Sequence, residues 1–207
     1  MEELWHKACN HFAVPEDVAK SWYTRIYQRL NESHSKRYYH NWNEMMQHKR
    51  EHLLHCKPAL VLAAFFQYYS YDGIQPCAKE NCAAFEEFCC DASLDDQESK
   101  TSILKLLGDK SVENELETTF EDDANFLQDL DLVILAASSE NYKRYCQLLR
   151  KEYEHMSDMD YKNMRLKVLQ TLLSIPNIFS TTEFQTRYEA AARANMKDEI
   201  STLKICT

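Results

Sequence analysis

Apolar residues recur every four positions after Pro15 and predict the first long helix of the chain. Glu16 and Asp17 would lie in its first turn, where acidic side chains interact favourably with the helix dipole. The predicted buried stripe of this helix comprises Val18, Trp22, Ile26 and Leu30. A polar segment, residues 31–36, follows, and we interpret it as a loop.

Two further helices are predicted over residues 41–56 and 59–66. The second follows Pro58 and is apolar almost all round, and a helix without a polar face is usually buried. We therefore expect it at the centre of the domain. Tyr71, Asp72 and Gly73 indicate a turn after it, and another helix is predicted over residues 78–90.

Two acidic segments, residues 91–100 and 113–123, are interpreted as solvated loops on either side of a short helix over 103–107. Residues 126–137 are apolar except at Gln128, Asp129 and Asp131. Carboxylates inside an apolar stretch cost several kcal/mol unless they are paired. These acids therefore either serve a function or include one that caps a helix start, and the pattern leaves both interpretations open.

The last third of the chain predicts three amphipathic helices. The face of the first comprises Tyr142, Tyr145, Cys146, Leu149 and Tyr153. Ser157 is the predicted N-cap of the second, whose face comprises Tyr161, Met164, Val168 and Leu172. Thr182 and Gln185 fit a capping box for the third, whose face comprises Phe184, Tyr188, Ala191 and Asn195.

Composition supports a helical chain, because only two glycines and four prolines occur among 207 residues. Sheet folds need many turns that contain these residues, whereas helices need few. Hydrophobic residues make up 44% of the chain, which is enough for a packed core. No internal repeat or linker interrupts the pattern. We predict an all-α fold in one compact domain over residues 1–207.

Charge and cysteine content restrict the expected partners and compartment. A net charge of −9 disfavours a nucleic-acid partner, and no apolar run is long enough for a membrane span. The first residues lack the basic and apolar regions of a signal peptide. We therefore expect a soluble, cytoplasmic protein whose eight cysteines are reduced thiols. The absence of a CxxC pair disfavours structural zinc.

Four histidines crowd one region of the sequence, His40, His48, His52 and His55. The last three have the spacing i, i+4 and i+7, which places them on one helix face and could bind zinc or copper. The residues around them are polar, so the alternative interpretation is an ordinary solvated face.

Segments in the same order along nearly the whole chain resemble the predicted metal-dependent HD-superfamily phosphohydrolases. Arg37-Tyr38-Tyr39-His40 resembles an Arg-x-Tyr-His segment, Phe66 to Asp72 a Phe-His-Asp-x-x-Tyr-Asp segment, and Phe126 to Leu135 an Asp-x-Asp-Leu-x-x-Leu segment. The similarity continues through Tyr142 to Tyr153, Tyr161, Arg165 and Ala191 to Asn195. This resemblance implies a compact HD-type helical bundle.

The departures from this family concern its metal ligands. The resemblance implies a His-Asp pair, upstream histidines and a later Asp that bind divalent metals and activate water. Here Gln67-Tyr68 replaces the pair and Glu44 replaces the second upstream histidine. The family's Thr-Lys-x-His segment falls on residues 108–111, which contain no histidine. A glutamine amide is a weak neutral ligand, and a tyrosine hydroxyl is protonated near neutral pH.

The resemblance with these departures predicts a catalytically degenerate HD-domain protein, a pseudoenzyme that acts as a binding or structural module without a cofactor. Its vestigial pocket would comprise His40, Glu44, Gln67, Tyr68, Asp129 and Asp131. Arg150, Arg165 and Arg193 match family positions and could bind a small anion, unless they are ordinary surface arginines. A protein is the other expected partner.

The alternative is a working phosphohydrolase with rearranged ligands at the vestigial pocket. His40, Glu44, Asp129 and Asp131 would then hold Mg²⁺ or another divalent metal weakly, since Mg²⁺ accepts few protein ligands.

Overall fold

The computed structural model of the chain describes residues 1–32, 36–108 and 118–205. Within these ranges the backbone is mostly helical, and a single bridge between Tyr71 and Pro76 is the β-type pairing. The α-helices are α1 Glu2–His11, α2 Glu16–Leu30, α3 Gln47–Leu53, α4 Pro58–Phe66, α5 Ala78–Asp91, α6 Gln97–Leu106, α7 Thr118–Leu132, α8 Ser139–Glu152, α9 Asp158–Ser174 and α10 Thr182–Ile205. A π-helical turn, Trp42–Met46, precedes α3, and a 3-10 turn, Val133–Ala136, follows α7. The all-α prediction is confirmed.

The backbone divides into two compact units, Met1–Leu127 and Gln128–Thr207. Helix α7 contributes residues to both. The prediction of one domain over residues 1–207 stays a prediction. None of the described helices is both long and apolar enough to cross a bilayer.

Helix α4 is the central element of the first unit, where it contacts α1, α5 and α6. Its residues from Leu60 to Phe66 are all buried, as its apolar sequence predicts. The ring of Trp5 packs 5.1 Å from that of Phe65 and 5.5 Å from that of Phe88. Each such side chain contributes about 1.5–3 kcal/mol when it is fully removed from water.

Helix α1 is absent from the sequence prediction, which begins after Pro15. Its buried residues are Leu4, Trp5, Ala8 and Cys9, a short stripe within ten residues. The indole N–H of Trp5 donates to the carbonyl of Ala19 at 2.8 Å, which fastens α1 to α2. This tertiary contact stabilises α1, although its apolar stripe is too short to predict a helix from periodicity alone.

The predicted turn at Asp72 is confirmed. The Asp72 carboxylate accepts hydrogen bonds from the backbone N–H groups of Ile74 at 2.7 Å and Gln75 at 2.8 Å. These bonds hold the pKa of Asp72 below its usual value. Gly73 has a φ of +94°, a backbone conformation that other residues rarely adopt.

Two predicted acidic loops are partly helical in the structure. Helix α6 starts at Gln97 because the Asp96 side chain accepts a hydrogen bond from the backbone N–H of Ser99 at 3.0 Å and so caps the helix. Helix α7 starts at Thr118, inside the second segment. Parts of the predicted loops and of the 108–111 segment, namely residues 33–35, 109–111 and 113–117, lie outside the described residues.

In the second unit α10 contacts α9 and the 3-10 turn. The Asn195 side-chain amide donates to the carbonyls of Leu135 at 2.9 Å and Ala137 at 2.8 Å. Ser157 is the N-cap of α9, as predicted, and accepts from the backbone N–H of Asp160 at 3.1 Å. The prediction of a capping box at Thr182 is wrong, because Thr182 is already the first residue of α10.

The predicted faces of α9 and α10 are rotated slightly from the observed ones. The buried residues of α9 are Tyr161, Arg165 and Leu169, whereas Val168 is 40% exposed. Those of α10 are Phe184, Ala192 and Met196, and Ala191 is exposed. In α9 the difference arises because Arg165 occupies a core position. In α10 it arises because small apolar residues lie on both the buried and the exposed side of the helix.

Candidate functional site

His40 and Tyr68, two members of the predicted vestigial pocket, lie together in the first unit. The His40 ring stacks on the Tyr68 ring, with centroids 5.4 Å apart and planes 19° apart. The ring of Tyr71 lies 4.6 Å from the His40 ring. The Arg37 guanidinium donates to the carbonyls of Tyr68 and Tyr69, and this fixes the backbone after α4. The histidine is therefore part of an aromatic cluster.

The ammonium of Lys49 lies beside two members of this pocket, Gln67 and Tyr68. Its Nζ donates to Gln67 Oε1 at 3.1 Å and lies 4.8 Å from the centroid of the Tyr68 ring. Lys49 is 1% exposed, although lysine is among the residues least often buried. The contact with the ring is a cation–π interaction, which strengthens when the cation is removed from water.

Sequence reasoning missed Lys49, although a signal for its burial exists. The π-helical turn and α3 bury Trp42, Met45, Met46 and Leu53. Position 49 falls on the same side of this helical segment, since it follows Met45 by four residues and precedes Leu53 by four. A lysine at a core position of an amphipathic stripe needs a polar partner, and Gln67 supplies one.

The donors at Gln67 and Tyr68 do not fit a divalent metal. They offer one amide oxygen and one phenol, and the amide oxygen already accepts from an ammonium. A cation on the same oxygen would be repelled by that ammonium, by about 4 kcal/mol per pair of unit charges at 4 Å near a protein surface. Glu44 belongs to the π-helical turn, and its backbone N–H donates to the Asn41 side chain at 3.0 Å.

Asp129 lies in the last turn of α7 and is fully buried. Its Oδ1 accepts from the backbone N–H of Ser180 at 2.7 Å. Its Oδ2 accepts from the backbone N–H of Thr181 at 2.8 Å and from the Thr181 hydroxyl at 2.7 Å. The carboxylate thus binds the residues just before α10, near the positive end of that helix dipole. Asp131, in the same turn of α7, is half-buried.

Arg165, one of the three predicted anion-binding arginines, forms a buried ion pair with Glu199. Its Nε donates to Glu199 Oε1 at 2.8 Å, and a terminal nitrogen donates to Oε2 at 3.0 Å. The Tyr142 hydroxyl donates to the same carboxylate. The two charged side chains are only 6% and 9% exposed. This bidentate geometry is the strong form of an arginine–carboxylate contact.

The other two arginines bind main-chain carbonyls at helix ends. Arg150 donates to the carbonyls of Tyr153 at 2.8 Å and Met156 at 3.1 Å, and to Asp158 at 2.6 Å. Arg193 donates to Glu189 at 2.7 Å and to three carbonyls at the C-terminal end of α9, those of Leu173, Ile175 and Pro176. Each arginine therefore has acceptors of its own, and these contacts differ among the three.

Burial raises the pKa of the side chains around the Arg165–Glu199 pair. The pKa of the Cys146 thiol rises to about 12, first because of burial and then because of the Glu199 charge. Burial also raises the pKa values of the Tyr142, Tyr145 and Tyr161 hydroxyls. These groups stay protonated near neutral pH, so none of them supplies a ready nucleophile or base.

The three histidines predicted on one helix face do not share a helix. Helix α3 ends at Leu53, so His55 lies beyond it. Burial lowers the pKa of His48, and the nearby Glu44 opposes this effect. Within the part of the chain that the structure describes, no three His, Cys, Asp or Glu side chains are grouped as a metal site requires.

Comparisons of the chain with protein-family models, with curated proteins and with solved structures found no match. The resemblance to the HD superfamily therefore rests on the sequence segments themselves and stays a prediction.

Proposed function

We propose that this chain is a catalytically degenerate HD-domain protein whose helices form a binding or structural module without metal chemistry. The observation that supports this proposal is the position of Lys49, whose buried ammonium contacts Gln67 and Tyr68. These two residues align with the His-Asp pair of the family that the sequence resembles.

We propose that the replacement of the His-Asp pair by Gln67 and Tyr68 ends hydrolysis, because the ammonium of Lys49 differs chemically from a metal ion. A divalent metal lowers the pKa of a bound water and so supplies a nucleophile at neutral pH. An ammonium provides positive charge and up to three hydrogen bonds, but it has no open coordination position. Lys49 therefore accounts for a stable polar core around Gln67 without an activated water.

We infer that the partner of this module is a protein or a small anionic ligand and that it acts in the cytoplasm, without nucleic acid. The net charge of −9 disfavours nucleic acid, and the eight cysteines suit a reducing compartment.

Metal content and phosphoesterase activity test the proposal together. Inductively coupled plasma mass spectrometry of protein purified without a tag or chelator should find far less than one equivalent of any transition metal. Calorimetric titration with Mg²⁺ and Mn²⁺ should give no saturable heat. Hydrolysis of bis(4-nitrophenyl) phosphate with either metal should equal the rate without protein.

A working phosphohydrolase predicts different results. Near-stoichiometric metal, with hydrolysis that is lost in His40→Ala and retained in His11→Ala, would contradict the proposal. His11 is a suitable control because it is exposed at the end of α1.

A further inference from the structure

Helices α8 and α10 border a groove of about 600 Å³ within the second unit. The wall from α8 comprises Ser139, Tyr142, Lys143, Cys146 and Gln147. The wall from α10 comprises Asn195, Asp198, Glu199, Ser201 and Thr202. Helix faces that border one another in a domain are usually apolar and closely packed. These two faces are polar instead, and the space between them falls within the range of about 300–1,000 Å³ that small-molecule sites occupy.

The buried side chains of the groove already have partners within the protein. The Tyr142 hydroxyl donates to the Glu199 carboxylate, which also pairs with Arg165. The side-chain amide of Asn195 donates to two main-chain carbonyls. The Cys146 thiol stays neutral, because burial raises its pKa to about 12. These groups hold the two helices in place, and the binding of a ligand falls to the exposed groups above them.

The exposed part of the groove carries one positive charge on α8, Lys143, and one negative charge on α10, Asp198. Among the residues that the structure describes, neither the Lys143 ammonium nor the Asp198 carboxylate has an ion-pair or hydrogen-bond partner. The charge of Glu199 is balanced by that of Arg165. A simple anion or cation would be attracted to one wall and repelled by the other, whereas a molecule with both charges would be attracted to both.

The uncharged groups of the groove suit a ligand whose body is polar. The hydroxyls of Ser201 and Thr202 each donate at 3.0 Å to a carbonyl one turn earlier in α10. Their oxygen lone pairs can therefore still accept hydrogen bonds from a ligand. The Gln147 amide offers both a donor and an acceptor. Peptide groups present the complementary N–H and C=O groups.

We propose that this groove binds a small zwitterion with a polar body, namely a di- or tripeptide with free termini. The carboxylate of the peptide would lie near Lys143 and its ammonium near Asp198, with the peptide groups between Gln147 and Thr202. The inference does not depend on the loss of metal chemistry, because every residue of this groove belongs to the second unit.

Three forms of one peptide separate the contributions of the two charges. Triglycine carries both charges, N-acetyl-triglycine lacks the ammonium, and triglycine amide lacks the carboxylate. Titration of the intact, ¹⁵N-labelled chain with triglycine, followed by nuclear magnetic resonance, should give saturable shifts in α8 and α10. Each of the other two forms should bind about threefold more weakly, as expected when one exposed ion pair is lost.

Two variants of the groove assign each charge to a wall. Lys143→Gln should weaken triglycine binding about threefold and remove the difference between triglycine and triglycine amide, while the effect of N-acetylation remains. Asp198→Asn should weaken triglycine binding to a similar extent and remove only the effect of N-acetylation. These opposite patterns arise because each substitution removes the protein partner of one peptide terminus.

Two control variants complete the experiment. Lys167→Gln on α9 and Asp122→Asn on α7 make the same charge changes at exposed positions outside the groove. Both should leave the three affinities nearly unchanged, and circular dichroism would verify that each variant is folded. The proposal would be overturned by the absence of saturable shifts in α8 and α10, by equal affinities for the three peptides, or by equal effects of the groove and control variants.

Discussion

The carboxylate of Asp129 illustrates how one residue can resemble a metal ligand in sequence and have a different role in structure. Its two oxygens accept three hydrogen bonds from Ser180 and Thr181. Removal of this side chain would leave two backbone N–H groups before α10 buried and without an acceptor. Loss of activity in an Asp129 variant would therefore report on the start of α10 and would not identify a metal ligand.

Asp129→Asn should lower the free energy of unfolding by about 2–4 kcal/mol, because the amide removes a charge and turns a donor toward other donors. Urea denaturation, followed by circular dichroism, measures this change. The matched control is Asp122→Asn, at an exposed position of the same helix, which should change stability by less than about 0.5 kcal/mol. Equal effects of the two substitutions would show that the Asp129 contacts contribute nothing.

Part of the candidate site could be predicted from single residues, and part could not. The alignment of segments placed His40 and Tyr68 in one pocket, and their rings stack. It did not indicate that Lys49 joins them, because the contact of Lys49 with Gln67 spans 18 residues and depends on how two helices pack. The sequence pattern also does not predict the hydrogen-bond acceptors of Arg165 and Arg193, since side-chain pairing is a tertiary property.

At the scale of the helix, α6 is the element whose start depends most visibly on one side chain. Asp96→Ala should destabilise the chain by about 1 kcal/mol, because it removes the N-cap acceptor for the Ser99 N–H. Thermal unfolding at neutral pH measures the effect. Asp95→Ala, one residue earlier and also exposed, is the control and should be nearly neutral. A comparable loss in Asp95→Ala would contradict the capping assignment.

The contribution of Asp96 should also depend on pH in a defined direction. Hydrogen bonds from Ser99 lower the pKa of Asp96 in the folded state. The contribution is therefore fully present above the pKa of the unfolded chain, about 3.9, and is lost as the pH falls through the lower folded value. The stability difference between the parent and Asp96→Ala should shrink below about pH 4. A difference that grows on acidification would contradict this direction.

The helices themselves were largely predictable, whereas their limits and faces were less so. Helices α2 and α8 follow apolar periodicity closely, and α4 and α5 begin and end within one residue of the predicted limits. The acidic starts of α6 and α7 predict loops, because the composition of a capped first turn resembles that of a loop. The rotated face of α9 has a similar cause. Arg165 is buried through its pairing with Glu199, and a scale of hydrophobicity assigns arginine to the surface.

At the scale of the whole molecule, the cysteines differ in how deeply they are buried. No disulfide joins the seven cysteines in the described residues. Burial raises the pKa of Cys9 and of Cys89 to about 12. Cys90, the neighbour of Cys89 in sequence, is exposed. Adjacent thiols thus differ sharply in access to water.

Iodoacetamide at pH 8 should modify Cys90 at least about a hundredfold faster than Cys9 or Cys89, because both exposure and thiolate fraction control the rate. A timed quench, with peptide mass spectrometry, measures each rate. In urea the three rates should converge, which provides the internal control. Modification of Cys9 as fast as Cys90 in the folded chain would show that α1 does not pack as described.

The polar contacts of the second unit join residues that are far apart in sequence. Asp129 and Ser180 are separated by 51 residues, and Tyr142 and Glu199 by 57. During synthesis Asp129 and Tyr142 leave the ribosome long before their partners, Ser180 and Glu199. Long-range contacts of this kind form late, because chain closure must precede them. Until residue 199 has been added, the side chain of Arg165 lacks the carboxylate with which it pairs in the folded chain.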